Sequence, residues 1–123
     1  MMQKYVAAVV ALTTVLSLPA LAKTPELPAA VITTEGGCVA AWPTQADSNA
    51  AGSVHLALLV KEDGRASDVK VLESSKSREL DKAAMYAVAK CRYVPDTFNG
   101  APRMHWFQLK FDWVPGQAAT AHD

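Results

Sequence analysis

Two cysteines, Cys38 and Cys91, are all that the sequence contains, and they do not form a CxxC pair. Their scarcity excludes a dithiol redox motif and the usual zinc knuckles. Charge of either sign is not in excess, since 12 Lys and Arg stand against 12 Asp and Glu. No basic stripe therefore marks a nucleic-acid partner. The chain also lacks a Gly-rich phosphate loop, a G-x-S-x-G elbow and any metal-ligand spacing. Those absences leave no motif for a cofactor, a small-molecule substrate or a nucleophilic enzyme. Beyond residue 22 no apolar run approaches the about 20 residues that a bilayer span requires.

The N-terminus explains the longest apolar stretch. Lys4 supplies a short positive region, residues 6–18 (VAAVVALTTVLSL) are apolar, and Ala20-x-Ala22 gives a small-residue cleavage pattern. Residues 1–22 are therefore expected to be a signal peptide, and the mature protein to be periplasmic. The alternative is a retained N-terminal anchor. Removing Lys4 leaves 11 basic side chains (12 − 1) against 12 acidic ones.

Export bears on the two cysteines. In an oxidising compartment an even count favours a disulfide, and Cys38–Cys91 is the expected bond. A mixed metal site with His55 or His105 lacks supporting ligand spacing, and a catalytic thiol would need a general base and resist oxidation poorly. In the chain-entropy model, closing a loop this long contributes about 4 kcal/mol.

Residues 23–40 carry two prolines and two glycines without a sustained period, which predicts an extended leader held by Val31 and Ile32. WPTQADSNA (42–50) suggests one helical turn begun by Pro43. SVHLALLVK (53–61) is apolar on both faces and reads as a central strand. Asp63-Gly64 then predicts a type I′ hairpin turn into a second strand at about 66–73. Ser77 suits an N-cap, with Glu79 and Asp81 in the first turn. Leu80, Ala83, Ala84, Ala87, Val88 and Cys91 form one helical stripe, which Pro95 ends. VPDTFNGAP reads as a loop, RMHWFQLKFDWV (103–114) as the last strand, and 115–123 as a disordered tail. The expected fold is α+β, in order β-β-α-β. A right-handed crossover gives a three-stranded antiparallel sheet of order 2-1-3 with one main helix on one face.

These elements resemble the C-terminal domain of TonB-type energy transducers. The resemblance is carried by the V-x-L…V-x-x-D-G-x…D-V-x-V-x-x-S-S hairpin, the L-D-x-A-A…A-V helix and R-Y-x-P…N-G-x-P before the last strand, with W-P-x-x-A at 42–46. It covers residues 41–114 and implies the same fold. Family transducers keep a membrane helix and a long proline-rich spacer, which this sequence does not show. They commonly have tryptophan where Cys91 stands. The resemblance thus implies the fold but not energy transduction.

With Asp63 explained by its turn and Asp81 by the helix dipole, catalysis has no candidate residues. A binding module remains. If the first strand is central, residues 103–114 form an open edge, which attracts an added strand. Met104, Trp106, Gln108, Lys110 and Trp113 are the candidate contact residues. The resemblance implies that a receptor segment of the outer membrane is the partner; a second copy of the chain is the alternative. Two other readings stay open: an anchored transducer, and a structural accessory in which the leader covers the edge.

Overall fold

The computed structural model describes residues 26–122. The expected signal peptide lies outside the described residues. Among those described, the elements are β1 (Val39–Ala40), β2 (Gly52–Val60), β3 (Ala66–Glu73), α1 (Arg78–Lys90), β4 (Asp96–Phe98), β5 (Ala101–Arg103), β6 (His105–Trp113) and β7 (Ala119–Thr120). The main sheet is antiparallel with order β3-β2-β6, so the first long strand is central as its two apolar faces require.

Alternation sets what each strand buries. Val54, Leu56, Leu58 and Val60 of β2 share the core face with Phe107, Leu109, Phe111 and Trp113 of β6. Against them α1 lays Leu80, Ala84, Ala87 and Val88. The small side chains let the helix approach a sheet that supplies the bulk. Ser77 caps the helix by accepting from the Leu80 N–H. The Asp81 carboxylate accepts from the Ser75 N–H at 2.9 Å and from the hydroxyls of Ser74 and Ser75, closing the loop from β3. Cys91 ends the helix with its N–H on the Ala87 carbonyl. A disulfide joins it to Cys38, with Cα atoms 5.8 Å apart, and both cysteines are buried.

Four expectations need correction. The Asp63-Gly64 turn is not type I′, because only Gly64 has positive φ (83°). The Gly64 N–H bonds the Lys61 carbonyl, and Asp63 Oδ1 accepts from the Arg65 N–H, which keeps Asp63 on the ordinary side of φ. The loop before β6 is a second hairpin, β4–β5, turned at Asn99-Gly100 with φ of 51° and 80°. Residues 42–50 make two successive turns, closed by Ala46 N–H to Pro43 and Ala50 N–H to Asp47, rather than a helical turn.

The tail is the fourth correction. Residues 115–123 were expected to be disordered, yet Ala119–Thr120 pair antiparallel with β1 and Ala121 is buried. The reason is that the tail finds backbone partners on both sides. Ala121 N–H donates to the Cys38 carbonyl, and His122 exchanges both backbone bonds with Lys110 of β6.

Candidate functional site: the edges of the sheet

β6 has β2 on one side, and its other side decides whether it can receive a strand. Gln108 and Lys110 aim their N–H and C=O groups away from β2, and both are occupied. Gln108 N–H donates to the Pro28 carbonyl at 2.9 Å, and the Gln108 carbonyl accepts from Ala30 N–H at 3.1 Å. The leader thus lies parallel to β6, bridged at Ala29. Lys110 is held by His122 through bonds of 2.8 and 2.9 Å.

The leader's hold is short for a covalent reason. In a parallel ladder the next bond would run from the residue 28 N–H to the Trp106 carbonyl, and Pro28 has no N–H. Further on, the leader leaves β6 and pairs antiparallel with the segment after the helix, where Thr33 N–H donates to Arg92 and Val94 N–H to Val31.

The candidate contact residues fall into different environments. Met104 is exposed just before β6. Trp106 is half-buried on the sheet face away from the helix, with the Lys70 ammonium 4.9 Å from its ring centre. Gln108 is committed to the leader, since its side-chain amide donates to the Leu27 carbonyl and its Oε1 contacts His55 Nε2. The Lys110 side chain is exposed. Trp113 is not an outward aromatic: it is 3% exposed and packs edge-on against Trp42, ring centres 5.9 Å apart. It has the parity of Phe107, Leu109 and Phe111, which places it on the core face.

Charges gather at the two ends of β6. At its start Asp96 binds Arg103 at 2.5 Å, with His105 3.9 Å away; the Arg103 bond holds the Asp96 carboxyl below its usual pKa. At its end the Ser53 hydroxyl and His122 hold the Asp112 carboxyl low, the His122 contact being 2.6 Å. The β4–β5 hairpin that positions Asp96 and Arg103 was missed by reading the segment as a loop, although Asn-Gly is the signal for it. Among the described residues no charged side chain is buried, and no group of His, Cys, Asp or Glu is arranged to hold a metal. No helix among them is long and apolar enough to cross a membrane.

Comparison with known proteins identifies the family. The family model described as "Gram-negative bacterial TonB protein C-terminal" matches residues 40–115, more than half of the chain. The chain belongs to the TonB C-terminal domain family. A search of curated proteins finds no match. The TonB C-terminal domain family is non-catalytic, its domains are periplasmic, and they interact with outer-membrane receptors. The match runs from β1 to just beyond β6. Pro28, Ala30 and His122, which occupy the β6 edge, lie outside it, as does Cys38.

Proposed function

We propose that the protein is a periplasmic binding module that receives an extended receptor segment along β6, with residues 27–30 of the leader giving way to it. Export with removal of residues 1–22 is part of this reading. The observation that carries it is the leader itself. An extended segment already lies parallel to β6, held there by two backbone bonds at Gln108 and one from its side chain. A peptide without proline at the position of Pro28 would add the bond to the Trp106 carbonyl and bind further along the strand. A linkage to TonB-dependent transport follows from the family; pairing at β6 is the mode this edge supports.

The test removes residues 23–30 and supplies them in trans. A fluorescent peptide of residues 24–31 should bind the truncated chain, with binding read by anisotropy. Peptides from the N-terminal segments of outer-membrane receptors should compete with it. If the truncated chain keeps its circular dichroism spectrum and binds neither, the reading is wrong. N-terminal sequencing of the exported chain tests the removal of residues 1–22.

A further inference from the structure

The opposite edge of the sheet belongs to β3, and the described residues place no strand beside it. Which of its groups face outward follows from the bonding alternation. Gln108 and Lys110 point away from β2, so Leu109 and Phe107 bond inward, to Leu56 and Leu58. The intervening residues of β2, Ala57 and Leu59, therefore face β3, where they meet Lys70 and Asp68. Val69 and Val71 are left with N–H and C=O directed outward. Two bulges limit this edge, since Ser67 and Leu72 are the extra residues where the register with β2 shifts. Natural edges are blunted in this way, yet Leu72 remains 50% exposed.

We infer that β3 pairs antiparallel with β3 of a second copy about a twofold axis at Val69. The charges select this register. A twofold pairing that uses outward groups must bring odd-numbered residues opposite one another, so the axis falls at Val69, Lys70 or Val71. Centred on Lys70, it sets two lysines face to face. Centred on Val71, it leaves Asp68 and Lys70 without opposite charges. Centred on Val69, it sets Asp68 of each copy opposite the partner's Lys70, twice. The bulges are compatible with it. Between Val69 and Arg65 one strand crosses its bulge at Ser67, while between Val69 and Glu73 the other crosses its bulge at Leu72. Arg65 therefore arrives opposite the partner's Glu73, and Ala66 opposite the partner's Leu72.

Asp68 and Lys70 lie on the sheet face away from the helix. In the single chain the Lys70 ammonium reaches back across β2 to the Trp106 ring, so it must swing outward to meet the partner's Asp68. On the other face, a groove between β3 and α1 is lined by Ala66, Val69, Met85 and Tyr86. Tyr86 is 67% exposed and stands at the border that a second copy would cover. This pairing uses the strand opposite β6, and Lys70, through Trp106, is the side chain it shares with the β6 face.

Sedimentation velocity of the full exported chain should show a reversible dimer. Lys70→Asp alone, or Asp68→Lys alone, puts like charges in both cross-strand pairs and should weaken the dimer at least about tenfold. Mixing these two variants should restore association as a heterodimer, because the lysines of one strand then face the aspartates of the other. Val69→Pro removes an outward N–H without touching the β2 ladder, and should abolish the dimer while the circular dichroism spectrum persists. A chain that stays monomeric up to about 1 mM would overturn the inference. So would a dimer indifferent to all three substitutions, or single variants that fail to recover on mixing.

Discussion

The backbone N–H of Ala121 donates to the carbonyl oxygen of Cys38 at 2.8 Å, and the side chain of Cys38 is bonded to Cys91 at the end of the helix. One residue thus ties the C-terminal segment, the leader and the helix together. The disulfide does more than close a loop: it fixes the strand on which the tail docks, and the tail in turn covers Lys110 of β6.

Replacing Cys91 by serine should therefore destabilise the protein by about 2 to 4 kcal/mol. It should also speed hydrogen exchange at Ala121 and His122 more than at β2. Urea unfolding and hydrogen exchange of the oxidised protein measure both. Equal stability with and without reductant, or two freely alkylatable thiols in the native protein, would refute the linkage.

Gly64 and Gly100 both have positive φ, 83° and 80°, but a Cβ would meet different surroundings. At Gly64 it would lie 2.4 Å from the Tyr93 carbonyl oxygen; at Gly100 nothing lies within 4 Å. Gly100→Ala should cost about 1 to 2 kcal/mol, the left-handed penalty alone. Gly64→Ala should cost more, because the Tyr93 backbone, which also donates to the Gly64 carbonyl, must move. Equal shifts in urea midpoint would mean that the hairpin relaxes without disturbing Tyr93.

Much of this architecture is legible from side-chain periodicity. The helical stripe from Leu80 to Cys91 and the alternation of β6 give α1, the central place of β2 and the sheet order. Trp113 was legible too, by its parity with Phe111. The termini were not. Pro28, Ala30, Ala121 and His122 are held through backbone groups, and a backbone bond leaves no side-chain pattern to read. For the same reason the sequence leaves open whether the leader covers the β6 edge, and the backbone bonds at Gln108 show that it does. The Asp63-Gly64 turn was misread because the type I′ signal ignores the bond from Asp63 to the Arg65 N–H, which stabilises the alternative geometry.

Tyr93 predicts an alkaline limit. It is buried, its hydroxyl donates to the Val88 carbonyl at 2.7 Å, and burial pushes its pKa well up. The folded state then resists ionisation, while the unfolded chain releases the proton near the ordinary value of about 10. A pKa raised on folding makes its full contribution below the unfolded value and loses it as pH rises toward the folded one. Urea midpoints should hold to about pH 9 and fall above pH 10. In Tyr93→Phe the fall should be shallower, from a lower starting stability because the bond to Val88 is gone. An identical alkaline slope in both proteins would assign the limit to another group.

Trp106 and Trp113 are seven positions apart on one strand, yet they should respond oppositely to substitution. Trp113 fills the core against Trp42, so Trp113→Ala should cost about 3 to 5 kcal/mol. Its indole N–H is buried without a partner, so it is the ring, and not a hydrogen bond, that is lost. Trp106 lies on the outer face and engages Lys70, an interaction of about 0.5 to 1 kcal/mol. Trp106→Lys should leave the fold intact, as judged by circular dichroism and urea unfolding, while weakening whatever binds along β6. Trp113→Lys should unfold the protein and so say nothing about binding. If Trp106→Lys folds and receptor segments bind it as tightly as before, the outer face of β6 takes no part in recognition.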